Sequence, residues 1–338
     1  MNHKSKLFFI ALCAVAINKY SFGDTTNSIS AQSVTSPKAY LATLGNNVIV
    51  CDINGSQLSN CTNYPLPGSA TWTEGIAFNG NDAYITNNDV MMRTGKYDIL
   101  KCSNANFSNS SCSPVVNGSP MSAGGIAIAD NHAIVLTDAG TMQYTEYTIN
   151  ADGAFSNPVV NTQYNSFTTY GITTYNGNFY MAGGVTENQP VGYTVCSISN
   201  PSSCLSALPI SQVGSTTALS ANAYSIAIAN GSAYITGNTK NSSYIYQCPI
   251  NTSGLFKGLF SSCNVTPINA QYAGENFTGI AIYNNTVYMM DSNLVGKYLA
   301  CNIETDGEIT PGSCEFYTLS VNNPSTLKFI QTAGIAIH

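Results

Sequence analysis

The side chains best suited to hold a ligand recur along this chain beside short apolar segments. One set follows such segments and consists of Asn87, Asp138, Asn238 and Asp291. A second set precedes other apolar segments and consists of Glu74, Tyr170 and Tyr224. Carboxylate and amide oxygens bind cations and sugar hydroxyls, and tyrosine rings offer flat apolar area with a hydroxyl, which suits a sugar or a peptide. The two sets together are therefore the predicted ligand-binding residues.

Glu74, Asp138 and Asp291 are the candidates for a metal site. Arg93 is the only arginine of the chain, so these carboxylates have few counter-charges, which favours a cation such as Ca²⁺. The alternative is that Asp and Asn at strand ends only form turns. Ca²⁺ is the one cofactor that the sequence suggests. No Gly-x-Ser-x-Gly motif occurs, and no catalytic residue can be named.

The elements that position these side chains belong to a repeat. The sequence Gly-Ile-Ala-Ile or a close variant starts at Gly75, Gly125, Gly171, Ser225, Gly279 and Gly334. Each full unit continues with a two-residue turn, a second apolar strand, a third strand rich in Tyr, Ile and Cys, and a less distinct fourth. The expected turns are Asn79-Gly80, Asp130-Asn131, Asn176-Gly177, Asn230-Gly231 and Asn284-Asn285. Repeats of about 40–55 residues built from short strands predict propeller blades; an open solenoid is the alternative, with shorter repeats.

The two ends of the repeat region complement each other. The region begins near Lys38 with a second strand at residues 39–44, and it finishes with a lone first strand at residues 334–338. We therefore predict an all-β protein, a six-bladed β-propeller with four-stranded blades, closed by a C-terminal strand that completes the N-terminal blade. In that fold the starts of first strands and the ends of second strands share one face around the axis.

Two histidines follow the predicted leader, and neither has an identifiable catalytic partner. His132 stands beside a predicted turn, which favours a solvated loop residue. His338 ends the chain near the predicted channel wall, where it either caps a strand or serves as a ligand.

Ten cysteines fall into five close pairs within the predicted blades. The pairs are Cys51/Cys61, Cys102/Cys112, Cys196/Cys204, Cys248/Cys263 and Cys301/Cys314. Each pair is expected to join the end of a third strand to a position near the start of a fourth. One blade has Tyr147 in place of the first cysteine and lacks the second as well. This joint absence predicts five disulfides within blades, formed in an oxidising compartment. Zinc sites are not expected, because the spacings within pairs are wider than those of zinc ligands and the pairs lie on different blades.

Composition and the N-terminus indicate an exported, acidic protein. Residues 1–23 have a basic start and a short apolar run, which predicts a cleaved signal peptide; residues 24–37 are predicted as a disordered lead-in and 38–338 as the propeller. Without Lys4, Lys6 and Lys19, eight of the 11 basic residues remain against 17 acidic ones, a net charge of about −9. This charge argues against nucleic-acid binding. We expect a secreted monomer, periplasmic or extracellular, without a transmembrane segment.

The pattern Gly-Ile-Ala-Ile, turn, Val-Tyr-x-x-Asp resembles the NHL-repeat family of six-bladed propellers. Residues 279–291 and 125–138 carry it best, although the Asn-Arg-Ile that usually follows is absent. The resemblance implies a binding scaffold for proteins or sugars, or a cation-dependent hydrolase or lyase of the gluconolactonase-like or streptogramin-lyase-like kind. Our leading expectation is a secreted module that recognises a protein or glycan on the loop face. The alternatives are that enzyme, or a structural envelope protein.

Overall fold

The computed structural model describes fourteen segments of the chain. They are residues 36–43, 45–67, 72–88, 97–108, 110–119, 122–138, 142–163, 169–184, 191–213, 222–239, 242–268, 277–291, 296–321 and 332–338. The predicted signal peptide and nearly all of the predicted lead-in lie outside them, so both remain predictions.

The described residues form 24 strands in six four-stranded antiparallel sheets. Blade 1 contains β1 (Lys38–Thr43), β2 (Asn47–Asn54), β3 (Gln57–Pro65) and β24 (Thr332–Ile337). Blade 2 contains β4 (Trp72–Asn79), β5 (Asp82–Asn88), β6 (Tyr97–Cys102) and β7 (Cys112–Ser119). Blade 3 contains β8 (Ser122–Ala129), β9 (His132–Asp138), β10 (Met142–Ile149) and β11 (Phe155–Gln163). Blade 4 contains β12 (Thr169–Tyr175), β13 (Asn178–Gly183), β14 (Gly192–Ser197) and β15 (Asn200–Pro209).

Blade 5 contains β16 (Asn222–Ala229), β17 (Ser232–Thr239), β18 (Ser242–Pro249) and β19 (Asn264–Pro267). Blade 6 contains β20 (Phe277–Tyr283), β21 (Thr286–Asp291), β22 (Lys297–Asn302) and β23 (Glu315–Thr318). Blade 1 has the strand order β24-β1-β2-β3, so the last strand completes the first blade. The first strands β4, β8, β12, β16, β20 and β24 contact one another in turn, and β24 contacts β4. The predicted six-bladed propeller and its mode of closure are confirmed.

The first strands approach one another so closely that glycine is required at several contacts. A Cβ atom on Gly171 would lie 2.5 Å from the Cα of Ser225, and one on Gly279 would lie 2.9 Å from the Cα of Gly334. A Cβ on Gly334 would lie 2.3 Å from the backbone oxygen of Glu74. These distances are shorter than van der Waals contact, so the absence of a side chain lets the innermost backbones touch.

In blades 2 to 6, a two-residue turn joins the first strand to the second. These turns lie on the face of the propeller opposite to the one where the first strands begin. Asn284 and Asn285 have positive φ values of 45° and 58°, and Asn230 and Gly231 have values of 50° and 76°, as a hairpin of this length requires. In blade 2 the prediction was wrong by one residue. Asn79 pairs with Asp82, so the turn is Gly80-Asn81 and not Asn79-Gly80, because Gly80 adopts the positive φ that the first turn position needs.

The hydrophobic core lies between blades. Six clusters of buried residues each combine side chains from two neighbouring blades. In one of them, Ile134 and Leu136 of β9 pack on Phe179 and Met181 of β13. Because every blade is covered on both sides, the middle strands are apolar without alternation, as the repeat indicates.

A tyrosine of the second strand ties each of four blades to the next. The hydroxyls of Tyr84, Tyr180, Tyr234 and Tyr288 donate to the backbone oxygens of Gly153, Gly258, Gly307 and Gly55 respectively. All four glycines lie between the third and fourth strands of the following blade and have positive φ. The tyrosine of the repeat thus fills the inter-blade core with its ring and hydrogen-bonds the neighbouring hairpin with its hydroxyl.

The five predicted disulfides are present, and each lies within one blade. The first cysteine of every pair lies in the third strand of its blade, and the Cα atoms of the paired cysteines are 4.0–4.2 Å apart. The bonded pairs are Cys51–Cys61, Cys102–Cys112, Cys196–Cys204, Cys248–Cys263 and Cys301–Cys314. The predicted pairing is therefore confirmed. The predicted place of the second cysteine, near the start of the fourth strand, holds for Cys112, Cys263 and Cys314 and is wrong for Cys61 and Cys204.

Cys204 lies deeper in its fourth strand than predicted. It is the fifth residue of β15 and not near its start, because the hairpin after β14 is short and strand pairing already begins with Ser197 opposite Asn200. Its side chain is half-buried, whereas its partner Cys196 is fully buried. The Sγ of Cys204 lies 3.0 Å from the hydroxyl of Tyr144 in blade 3, so this disulfide also contacts the neighbouring blade. Cys61 is likewise the fifth residue of its strand, β3.

Cys314 lies one residue before its fourth strand, near the start of that strand as predicted. β23 begins with Glu315, and its pairing with β22 ends where Glu315 lies opposite Ala300. The fourth strand starts late because a long connection follows β22 in this blade. Cys314 is half-buried and Cys301 is buried. Their disulfide links the β22 and β23 sides of the hairpin one residue beyond the last hydrogen-bonded pair of these strands. Cys263 also comes directly before its strand, β19.

Blade 3 has an aromatic contact where the others have the disulfide. Tyr147 lies with its ring centroid 5.3 Å from that of Phe155, which also stacks on Tyr84 of blade 2. The aromatic cluster holds the third and fourth strands of this blade together.

We expect Gly334→Ala to destabilise the whole propeller. The added methyl group meets the backbone oxygen of Glu74, which cannot move without shifting β4, so the free energy of unfolding should fall by about 1–3 kcal/mol. Chemical denaturation followed by far-UV circular dichroism measures this. Gly45→Ala is the control, because its nearest neighbour is the movable side chain of Asn47. Equal loss in both variants would contradict the steric explanation.

Tyrosine ionisation should unfold the protein at alkaline pH. Burial raises the pKa of Tyr84, Tyr234 and Tyr288 to about 12, with nearby Asp82 and Asp152 adding to the effect at Tyr84. A folded-state pKa above the usual value of about 10 means that these tyrosines stabilise the fold below pH 10 and lose that contribution as the pH rises through 12. Tyrosinate absorbance and circular dichroism should therefore change together.

Tyr84→Phe should lower the free energy of unfolding at neutral pH by about 1 kcal/mol, since it removes one buried hydrogen bond. The partly exposed Tyr283 gives the matched control, Tyr283→Phe. Ionisation of the buried tyrosines near pH 10 in a protein that stays folded would show that their hydroxyls are not enclosed.

Candidate functional site

Every first strand carries a β-bulge at the same place, next to its starting end. The register shifts between Thr73 and Ile76 in β4, and the same break recurs in all six blades. The inserted residues are Glu74, Gly124, Tyr170, Tyr224, Thr278 and Ala333. A bulge residue is left out of the regular pairing, so its side chain is re-aimed relative to the sheet, a feature common next to binding sites.

These six positions form what we call the bulge ring, because the first strands are the innermost strands of the propeller. Glu74, Tyr170 and Tyr224, selected from the sequence as residues before first strands, are all members of it. Glu74 and Tyr224 are half-buried, whereas the side chain of Tyr170 lies outside the described part of the structure. A Cβ on Gly124 would lie 3.5 Å from Oε2 of Glu74, so this carboxylate reaches over the bulge glycine of the next blade.

The second set of predicted residues lies on the same face. Asn87 pairs with Thr73 and Asp291 pairs with Phe277, each directly before the bulge residue. Asn238 pairs with Asn222 at the first residue of β16. Asp138 pairs in the same way with Ser122 at the start of β8, and its side chain is outside the described part of the chain.

Burial divides the predicted residues into two layers. Asp291 is fully buried, and Asn87 and Asn238 are 1% and 6% exposed. Nδ2 of Asn87 donates to Oδ1 of Asn46 at 3.0 Å, and Nδ2 of Asn46 donates to the Leu66 oxygen at 3.1 Å. Asn87 is therefore hydrogen-bonded to its own protein beneath the face, whereas Glu74 and Tyr224 in the bulge ring are only half-buried.

Threonine hydroxyls hold the bulges in place between blades, a feature that sequence reasoning missed. The Oγ1 of Thr86 accepts a hydrogen bond from Gly75 N at 2.8 Å and donates to the Gly124 oxygen of blade 3 at 2.8 Å. Thr236 of β17 donates to the Phe277 oxygen of blade 6 at 2.8 Å. Both threonines are the last residue of an Ala-Tyr-Ile-Thr sequence in a second strand. A comparison of the repeats could therefore have identified them.

The predicted metal site remains a prediction. Among the described side chains, no three His, Cys, Asp or Glu residues come together as a metal would require. Asp138, one of the three proposed ligands, has no described side chain and is therefore outside that comparison.

The two histidines do not belong to this face. His132 is the first residue of β9 and not a solvated loop residue; its Nδ1 lies 3.1 Å from Oε1 of Glu146 on the adjacent strand. His338 follows the far end of β24, opposite the bulge, and its ring stacks on Phe78 with a centroid distance of 4.2 Å. Because β24 runs away from the bulge ring, the possible role of His338 as a ligand there is excluded.

Comparisons with known proteins support the fold and leave the family open. No family model matches the sequence, and no curated protein matches it. A chain from a nidogen/laminin complex is similar, with a TM-score of 0.60 and 11% identity over 89% of this chain and 98% of that one. A protein from Lactobacillus plantarum has a TM-score of 0.53 and 10% identity, over 89% and 99% of the two chains.

A putative 6-phosphogluconolactonase from Bacteroides fragilis has a TM-score of 0.50 and 7% identity, over 90% of this chain and 99% of that chain. At such low identities the likeness shows the fold alone, a six-bladed β-propeller, and the NHL-like assignment stays a prediction. No described helix has the length and apolar character needed to cross a membrane.

We expect Thr86→Val to loosen the bulge that carries Glu74. The substitution keeps the side-chain shape but leaves Gly75 N and the Gly124 oxygen without the hydroxyl, at a cost of about 2–4 kcal/mol for the two buried groups. Thermal unfolding and hydrogen exchange at Gly75 measure the effect. Thr62→Val, on the outer strand β3, is the control; equal exchange at Gly75 in both variants would contradict the positioning role.

Proposed function

We propose that this protein is a secreted binding module that recognises a protein or a glycan on the face of the propeller that carries the bulge ring. The observation that carries the proposal is the composition of that ring. In order around the axis its members are Glu74, Gly124, Tyr170, Tyr224, Thr278 and Ala333. The bulge has the same backbone arrangement in all six blades, but its side chain differs from blade to blade. Different side chains around the ring allow it to recognise one ligand in one orientation.

The chemistry of the ring fits a ligand with two kinds of surface. Glu74 offers a carboxylate that accepts hydrogen bonds from hydroxyl or amine groups. Tyr170 and Tyr224 belong to neighbouring blades 4 and 5 and supply flat apolar area with hydroxyl groups. Gly124, on the blade next to that of Glu74, has no side chain, so the Glu74 carboxylate can lie over it. Sugars and extended peptides both combine apolar faces with hydrogen-bond donors.

Export and a protein ligand each have independent support. Five disulfides form readily in an oxidising compartment, which favours the periplasm or the cell exterior. The similar chain from the nidogen/laminin complex comes from an assembly of two proteins, which favours a protein as one class of ligand.

A cation-dependent hydrolase or lyase is the second candidate, and Asp291 is the observation that favours it. Its carboxylate is fully buried at the end of β21, on the same face as the bulge ring. A buried carboxylate is stabilised by hydrogen bonds and by compensating charge, and a cation bound at this face would supply part of that charge. Calorimetric titration with Ca²⁺ distinguishes the candidates: tight binding that Asp291→Asn and Asp138→Asn abolish would favour the enzyme.

Glycan and peptide arrays probed with the native protein test the binding module. The hit is then titrated against Glu74→Gln and Tyr224→Ala, and each should weaken binding by about tenfold through loss of a charge-assisted hydrogen bond or a ring contact. Trp72, the only tryptophan, begins β4 beside the ring and provides a fluorescence signal.

Asn131→Gly is the matched control, because this exposed turn residue lies on the opposite face and has a positive φ that glycine retains. A ligand whose affinity falls in the control and stays unchanged in both ring variants would move the site to the other face.

A further inference from the structure

A lateral groove of about 650 Å³ lies on the outside of the propeller, away from the axis. One wall is the short outer strand β19 of blade 5, and the other belongs to the hairpin between β22 and β23 of blade 6. The residues that matter in its lining are Gln212, Asn264, Val265, Pro267, Glu308 and Ile309. Its volume is that of ordinary ligand sites, although the sequence repeat does not indicate it.

The backbone of β19 turns hydrogen-bonding groups toward this groove. At one end, Cys263 N donates outward to the Ser211 oxygen at 2.7 Å, and Val213 N donates to the Cys263 oxygen at 3.0 Å. At the other end, Ile268 N donates inward to the Ser243 oxygen at 2.9 Å. Since backbone groups alternate along a strand, the N–H and C=O groups of Val265 point outward as those of Cys263 do.

The molecule itself shows that these outer edges accept another strand. The segment before blade 5 forms a parallel bridge from Gln212 to Cys263, and the segment after blade 6 forms an equivalent bridge from Val321 to Cys61 of blade 1. In blade 5 the edge continues past this bridge along Val265 and Pro267, both of which line the groove. A peptide strand placed there would extend a pairing that has already begun.

The polar groups of the groove favour a cationic peptide. Nδ2 of Asn264 lies 3.1 Å from Oε1 of Gln247 and 3.0 Å from Oε1 of Glu308, so the carboxylate is held at the groove wall. Glu304 and Asp306 belong to the same hairpin, and the described lining residues include no Lys, Arg or aromatic side chain. A sugar would lack a ring to stack on, whereas a Lys or Arg side chain would find a positioned carboxylate.

We propose that the lateral groove binds a short extended peptide with Lys or Arg at alternate positions, added as a strand to the outer edge of β19. The four residues of β19 set the length of the paired segment. The main-chain groups of Val265 supply hydrogen bonds, and Glu308 selects the cationic side chain. This site is distinct from the bulge ring and does not rest on the function proposed for it.

Fluorescence anisotropy with a labelled, end-blocked hexapeptide of alternating valine and lysine tests the proposal on the full protein. Binding should weaken with added salt. Glu308→Gln should lower the affinity by about tenfold, because it removes the charge and keeps an oxygen for Asn264. Val265→Pro should lower it by at least about tenfold, since proline removes the outward N–H where an edge strand tolerates it.

Glu315→Gln is the matched control, because this exposed carboxylate lies on β23 of blade 6 and is not part of the lining. It should leave the affinity unchanged. If Val265→Pro fails to fold, Glu308→Gln and two comparison peptides still decide the question: valine–glutamate should not bind, and lysine–proline, which cannot pair as a strand, should bind at least about tenfold more weakly. No binding of the valine–lysine peptide, or equal binding of either comparison peptide, would overturn the proposal.

Discussion

The propeller depends on backbone contact between its innermost strands. At Gly171, Gly279 and Gly334 a single added carbon would lie within 2.9 Å of the next blade, so these strands pack without side chains between them. This close packing keeps the first strands of neighbouring blades in direct contact around the axis. Each first strand remains the inner edge of its own four-stranded sheet, and closure places that edge against the first strands of the neighbouring blades, around the axis.

The side-chain contacts between blades recur from blade to blade, because each blade packs against a neighbour of nearly the same structure. The tyrosine in the middle of the second strand is one case: its ring enters the inter-blade core, and its hydroxyl needs an acceptor there. A glycine with positive φ in the next hairpin presents its carbonyl at that point, as Gly153 does for Tyr84. In blade 3 Ile134 stands in place of the tyrosine, and Tyr144 of β10 instead donates to the Pro201 oxygen of blade 4. The ring therefore tolerates exchange of a contact provided that the buried group is satisfied.

The fold could be predicted from sequence because the repeat records local rules. Apolar runs, Asn-rich turns and paired cysteines can each be recognised from residues that are close in sequence. Both cysteines are absent together in blade 3, which indicated that the two cysteines of each other blade bond to one another. For the candidate site, the sequence predicted which face of the propeller carries the residues but not how they are arranged on it. The bulge arises from the register between β4 and β5, and the hydrogen bond from Thr86 to the Gly124 oxygen joins residues 38 positions apart. The burial of Asp291 and Asn87 likewise depends on packing between strands, which no local pattern reports.

The contacts between blades also determine which positions have a structural role and which can vary. Positions in the middle of each blade are committed to the inter-blade core, and positions on the first strand after the bulge are committed to closure. Two kinds of position remain free to differ among blades: the bulge residues and the outer edges. They range from Glu74 to Gly124 in the ring, and from a ten-residue β15 to a four-residue β19 at the edges. Because these side chains lie outside the contacts that repeat between blades, their variation among blades is where selection for a ligand can act.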